Sequence, residues 1–427
     1  MKAINKNYTK FIKSRPKLVH FLAFYKSLFR WHNRQKRKFY ELYNQGKFEE
    51  AISFGEKALR KRKNNYHLRR MLAKAYRNLG HHHIAAIKLS EDLSITFGQD
   101  VKSIEAQIEK EIFGNSGVLR VRSKFIYLGG MNNYGQVQHE IIDENISKEY
   151  ITKISTPEKI KREYYFYSKI CEENPKLKSV TANLLGYFES DNREMAFLTI
   201  DKITGNSAGL EHLQKVISAH KVLSLVTHNL GEIGLNTPNK KVFAKSNYKT
   251  IVSPTTFSGV HLEEVNKIIF KWLHEKILNH KYKCTGKSIL SKLESIIIKD
   301  KFYEKIIPCR HFSLVHGDFG RHNILVDEKS EKIYIIDWSG YFFGPATFDM
   351  TRLFESFFLD FNSIKKIYID KIINEDCKNS IIEVSIFTYM LIISWFKEKS
   401  IARTLENHND YLVPAIDYLE YLISKLV

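Results

Sequence analysis

Apolar positions along the 427-residue chain change their period several times. Leu18, Phe21, Leu22, Tyr25, Leu28 and Phe29 recur at i, i+3, i+4 spacing, while Lys17, Lys26, Arg30 and Arg34 occupy other positions. This predicts a basic amphipathic helix within residues 1–38. Residues 39–95 repeat themselves: Leu42, Gly46, Phe48 and Ala51 align with Tyr76, Gly80, His82 and Ala85, each at an offset of 34. Small residues at Gly46 and Ala51 let paired helices approach closely, so a helical repeat module is expected over 39–116. The run Phe113-Gly114-Asn115-Ser116-Gly117 breaks the pattern and sets a predicted domain boundary.

Beyond it the period falls to two. Residues 124–128 and 136–142 alternate as a hairpin joined by a loop holding Gly129, Gly130 and Gly135. Residues 150–154 read as a third strand, and Thr156-Pro157-Glu158 as a helix start with Pro in the first turn. Ile160, Glu163, Tyr164, Tyr167 and Ile170 share one face of that helix, so Glu163 points inward and needs a cationic partner; Lys153 is the obvious one. Residues 183–188 and 195–200 supply two more strands. From residue 210 the helical period returns, with His228 read as a packed helix histidine.

A second hairpin interrupts these helices. Ile324-Leu325-Val326 is a short apolar strand, 327–331 a polar turn and 333–336 a β-branched return. Pairing Val326 near Tyr334 would set Asn323 opposite Asp337, about 5 Å apart, within reach of one divalent ion. Asp318 sits five residues before Asn323 on the loop feeding the hairpin. An Asp, an Asn five residues on and a second Asp closing the return strand match the layout of kinase phosphoryl transfer. There the first Asp orients the acceptor hydroxyl, and the other two residues hold Mg2+ on the nucleotide phosphates.

The segments His316-Gly317-Asp318, Asn323, Ile336-Asp337-Trp338 and Gly344-Pro345-Ala346-Thr347-Phe348-Asp349 resemble the aminoglycoside phosphotransferase and choline kinase family, which shares the protein-kinase-like fold. One departure is Pro345, where the family carries an acidic residue. The resemblance spans about residue 119 to the end, weakly in the middle. It implies an α+β, two-lobed kinase-like fold, with a small lobe at 117–204 and a mostly helical lobe at 205–427. It also implies ATP and Mg2+ as cofactors. Asp318 would be the catalytic residue, Asn323 and Asp337 the metal ligands. Lys153, fixed by Glu163, would sit with Gly129, Gly130, Gly135 and Asp201 around the nucleotide, with Asp201 near the interlobe hinge. His316 and Asp349 would support the loop. The 34-residue period is similar to the tetratricopeptide repeat.

Charge and composition sharpen the choice among functions. Residues 1–118 hold 16 Lys and 9 Arg against 10 acids, so +15 of the +20 net charge lies there. This points to an acidic protein partner bound by the helical repeats or to an anionic membrane surface. No interleaved aromatic-basic motif of known kind accompanies it, which argues against nucleic acid. Cys171, Cys284, Cys309 and Cys377 show no CxxC spacing, consistent with reduced thiols in a cytoplasmic protein, peripheral to the membrane at most. No protein-kinase-style activation segment separates Asp337 from Asp349. The expected acceptor is therefore a hydroxyl of a small molecule or glycan: a sugar, amino alcohol or aminoglycoside-like compound. A protein kinase and a non-catalytic nucleotide-sensing scaffold are the alternatives. All catalytic motifs follow residue 119, so a chain starting near Gly117 is expected to keep basal turnover.

Overall fold

The computed structural model describes residues 38–43, 45–61, 66–114, 120–126, 134–143, 146–226, 262–278, 280–299, 302, 311–327, 329–345, 347–396 and 400–426. They fall into two compact units, one within residues 1–164 and 184–202, the other within 165–183 and 203–427. Gly129, Gly130, His228 and Cys309 lie outside the described residues, as does the predicted basic helix apart from Lys38.

In the first unit, helices α1 (Phe48–Lys61), α2 (Tyr66–Asn78), α3 (His82–Phe97) and α4 (Val101–Ile108) precede the sheet. The 34-residue offset is visible in the backbone. Lys47 N–H donates to Leu42 O and, 34 residues on, His81 N–H donates to Tyr76 O. Gly46 and Gly80 both take left-handed φ values, 74° and 79°, which only glycine adopts without a steric penalty. Ala51 and Ala85 are fully buried. Strands β1 (Arg120–Ile126), β2 (Gly135–Asp143), β3 (Ile146–Ser155), β4 (Leu184–Glu189) and β5 (Ala196–Asp201) form one antiparallel sheet in the order β1-β2-β3-β5-β4. Helix α5 (Pro157–Tyr165) follows β3.

Successive strand residues point to opposite faces of a sheet, and here the two faces differ in chemistry. Phe125, Val137, Ile154 and Phe197 pack with Ala85 and Leu89 of α3 and Ile104 and Ile108 of α4 in a single hydrophobic cluster. The same face carries a buried polar ladder. His139 contacts Ser123 Oγ through Nδ1 and Thr152 Oγ1 through Nε2, both at 2.8 Å, and Thr152 meets Thr199 at 2.7 Å. The Phe113 ring covers His139 at 5.1 Å, and Glu105 of α4 accepts the Phe125 N–H at 2.9 Å. The hydrophobic core thus runs continuously from helices before residue 116 into strands after it.

In the second unit, β6 (Gly205–Ser207) joins β8 (Ile324–Asp327) and β9 (Ile333–Ile335) in a three-stranded sheet, and β7 (Phe312–Val315) pairs with β10 (Phe342–Pro345). The remaining elements are helical, those of six or more residues being α6 (Leu213–Ser224), α7 (Leu262–Leu278), α8 (Lys283–Lys299), α9 (Phe348–Phe357), α10 (Lys378–Trp395), α11 (Ile401–Glu406) and α12 (Leu412–Ser424). Residues 384–395 of α10 are all buried, so that helix is the unit's core. No helix among the described residues is long and apolar enough to cross a membrane. The expected α+β class is borne out.

The hairpin register differs from the expected one by a residue. Val326 pairs with Ile333 and Leu325 with Tyr334, so Ile336, not Asp337, lies beside Asn323, and its N–H donates to Asn323 O at 2.9 Å. The cause is the turn. Asp327 Oδ1 accepts N–H bonds from Lys329 and Ser330, and Glu331 takes a left-handed φ of 54°, which closes the loop one residue early.

The shared core sets two expectations. A chain starting at Gly117 would strip the cover from Phe125, Val137, Ile154 and Phe197; it should be insoluble or lose its cooperative melt, the reverse of the expectation drawn from motif positions. Burial also holds the His139 pKa down at about 4. Between pH 6.5 and 4 the unfolded chain binds a proton that the folded chain refuses, so stability should fall by about 3 kcal/mol over that window. Urea unfolding midpoints should show this slope, and His139→Gln should flatten it.

Candidate active-site loop

The loop between β7 and β8 is held from beneath by one buried carboxylate. Asp349, in the first turn of α9 and fully buried, accepts the His316 N–H at 2.7 Å through Oδ2 and the Gly317 N–H at 3.0 Å through Oδ1. His220 Nε2 of α6 donates to the same Oδ2 at 3.2 Å. The loop must turn sharply here. Gly317 has φ 82°, and a Cβ would lie 2.4 Å from the Gly340 carbonyl oxygen, so the position excludes any side chain.

His316 is buried, and burial lowers its pKa, which leaves the ring neutral. The hydrogen bonds fix its tautomer: Nε2–H donates to Ile336 O at 2.8 Å, and Nδ1 accepts the Asp318 N–H at 3.3 Å. One imidazole therefore ties the loop to the end of β9. Asn323 donates through Nδ2 to Asp318 O at 2.9 Å, which leaves its amide oxygen as the atom to face a cation.

Asp337 follows β9 in a left-handed conformation, φ 65° and ψ 61°. This is costly for a residue with a Cβ, and such strain gathers at sites of function. Its neighbour provides the restraint: Trp338 is fully buried, stacks on Phe166 at 3.9 Å and donates from Nε1 to Ile335 O at 2.9 Å. Asp337 itself stays half-exposed, with Ser339 Oγ donating to Oδ1 at 3.1 Å.

The Asp318 carboxylate receives Arg352 Nη2 on Oδ1 at 3.0 Å. Arg352 Nη1 reaches Glu355 Oε2 at 2.8 Å, and Glu355 accepts from Ser394 and Ser400. His220, Arg352 and Glu355 were not among the expected site residues. Their signals are visible in retrospect. His220 falls on the buried stripe of α6 with Leu213, Val216, Ile217 and Leu223, where a polar side chain needs a partner. Asp349, Arg352 and Glu355 are spaced by three along one face of α9.

In the first unit, Lys153 of β3 and Glu163 of α5 meet as expected: Nζ lies 2.6 Å from Oε1, with both side chains more than nine-tenths buried. Lys153 alternates with Thr152 and Ile154, so it emerges on the sheet face opposite the helical cover. Gly135 opens β2 and Asp201 closes β5 opposite Tyr150. Among the described residues, no group of three or more His, Cys, Asp or Glu side chains forms a metal cluster.

Residues 284–363 match the phosphotransferase enzyme family, and this stretch contains His316, Asp318, Asn323, Asp337 and Asp349. No curated protein matches the chain. Among solved structures, an ethanolamine kinase from Plasmodium vivax is 14% identical, with a TM-score of 0.42 over 79% of this chain and 93% of its own. A choline kinase from Streptococcus pneumoniae is 13% identical, with a TM-score of 0.36 over 75% and 99%. A spectinomycin phosphotransferase solved with ADP and spectinomycin is 11% identical, with a TM-score of 0.38 over 76% and 98%.

The buried Lys153–Glu163 pair makes a stability prediction independent of activity. Glu163→Ala strands a buried ammonium and should cost about 3–5 kcal/mol. The Lys153→Met, Glu163→Leu double variant should cost clearly less than the two single losses summed, as read from urea unfolding.

Proposed function

We propose that the chain is an ATP- and Mg2+-dependent phosphotransferase that moves the γ-phosphoryl group to a hydroxyl of a small molecule or glycan. The observation that carries this is the loop built on Asp349. A buried carboxylate, a neutral histidine and a side-chain-free glycine all serve to present Asp318 and Asn323 beside a strained Asp337. Asp318 accepts a hydrogen bond from the acceptor hydroxyl and orients its oxygen for attack. Lys153, held by Glu163, contributes positive charge to the nucleotide phosphates.

The donor set fits Mg2+. The amide oxygen of Asn323 and the half-exposed Asp337 carboxylate are hard oxygen donors, and Mg2+ takes one or two such ligands while phosphates and water complete its shell. When bound, the ion supplies charge neutralisation on the phosphates. Asp337 is held for that task by the Trp338 anchor and Asn323 by the Asp318 carbonyl.

A small acceptor is favoured over a protein by the chain after Asp337. β10 pairs at once with β7, Phe342 opposite Val315, and α9 begins at Phe348. That leaves no length for a segment on which a peptide substrate could dock. The 34-residue helical repeat and the basic N-terminal part support recruitment to an acidic protein or an anionic membrane surface.

The test is ADP release from MgATP, screened against sugars, amino alcohols, aminoglycosides and glycan precursors. Asp318→Asn should bind MgATP but turn over roughly 10²- to 10⁴-fold more slowly, and Asp337→Asn should weaken Mg2+-dependent nucleotide binding. Wild-type turnover in both variants would refute the assignment of this loop.

A further inference from the structure

We propose that Arg352 is the positioning residue of this site: it fixes the side-chain rotamer of Asp318, and Glu355 fixes Arg352 in turn. This rests on the role given to Asp318 above.

The backbone at Asp318 is restrained at both ends, by His316 Nδ1 on its N–H and by Asn323 Nδ2 on its carbonyl. Neither bond sets the side-chain torsion. Asp318 lies on irregular chain with its side chain 29% exposed, so its carboxylate needs a restraint from elsewhere to hold one direction. Arg352 supplies it from α9. Nη2 donates to Oδ1 at 3.0 Å, which turns Oδ2 toward Asn323 Nδ2 at 3.5 Å and His322 Nε2 at 3.7 Å. Oδ2 is thereby the oxygen offered to an acceptor hydroxyl.

The restraint is only as good as its own anchor. A long arginine on a surface would wander, but Arg352 bridges two carboxylates, with Nη1 on Glu355 Oε2 at 2.8 Å. Glu355 is nearly buried and accepts Ser394 Oγ at 2.6 Å, at the end of α10, and Ser400 Oγ at 3.1 Å, just before α11. The chain Asp318–Arg352–Glu355–Ser394 thus carries the rigidity of the core helix α10 to one carboxylate oxygen. A guanidinium suits this place because its planar fork addresses two carboxylates from separate nitrogens, whereas an ammonium is a single point charge. Helix α9 then has two jobs, three residues apart: Asp349 holds the loop backbone and Arg352 aims the loop side chain.

The experiment uses the full chain and MgATP with water as acceptor, following ADP release under single-turnover conditions. Arg352→Met should lower the rate about 10- to 100-fold, the cost of a misaimed group, with the MgATP concentration for half-maximal rate unchanged within about twofold. Arg352→Lys should recover part of the loss. In an Asp318→Asn background, Arg352→Met should cost nothing further, because its effect runs through Asp318. Glu355→Gln, which keeps the serine contacts and weakens the anchor, should show the same dependence on Asp318 and serves if Arg352→Met does not fold. Equal losses in both backgrounds, or a loss seen only as weaker MgATP binding, would overturn the proposal. If Asp318→Asn itself keeps wild-type turnover, the assigned role of Asp318 fails. If Asp318→Asn is slow and folded Arg352→Met is not, only the role of Arg352 fails.

Discussion

The Asp349 carboxylate is the contact on which the loop between β7 and β8 depends. It is fully buried and meets three donors: the His316 and Gly317 amides and the His220 ring. A buried charge is tolerated only where such donors replace water. The same three bonds that make Asp349 affordable force the loop into one path. Two consecutive amides pointing at one carboxylate require the tight, left-handed turn at Gly317. That turn brings Asp318 above the His316 ring, which then bonds the Asp318 amide on one side and the Ile336 carbonyl on the other. Removing any member leaves another buried polar group unpaired, so the loop is held by mutual necessity.

In the first unit a comparable economy governs the sheet. Its alternation divides labour: one face carries Lys153 toward Glu163, the other is apolar apart from the His139 ladder. An apolar sheet face must be covered, and here the repeat helices cover it. Leu89, Ile104 and Ile108 are fully buried against the strands, and the Glu105 carboxylate accepts a backbone amide of β1. Arg70 of α2 also reaches forward, pairing with Asp92 and lying 4.4 Å over the Tyr134 ring at the start of β2. The helices therefore belong to the folding of the sheet that bears Lys153.

How much of this was legible in the sequence follows from which interactions are local. That Asp318, Asn323 and Asp337 fall close together could be read because their spacing is set by one loop and one hairpin. The Lys153–Glu163 pair could be read because strand alternation and helical period each give a side chain a direction, and an inward carboxylate demands a partner. The hairpin register could not, since it turned on a left-handed Glu331, a conformation no residue preference announces. His220 and Arg352 come from elements 98 and 34 residues away from Asp318 in the chain. The continuity of the core across residues 115–119 was hidden for a related reason. Glycine and serine mark a break in secondary structure, but they do not say whether the elements on either side pack together.

The strain at Asp337 shows why distant packing matters to a short motif. A left-handed aspartate persists only if the residues around it leave no relaxed alternative. Trp338 provides that constraint: its ring is stacked on Phe166 and edged by His316 at 4.7 Å, and its indole N–H is committed to Ile335 O. To relax Asp337 to an ordinary strand conformation would swing a fully buried tryptophan out of its slot. The energy stored at the half-exposed carboxylate is thus balanced by aromatic burial directly beside it. The same Trp338 edge steadies His316, so the turn at Asp337 and the loop at Asp318 share one aromatic wall. The backbones that carry two carboxylates 19 residues apart in sequence therefore share one packed support, while the direction of the Asp318 side chain is set separately, from α9.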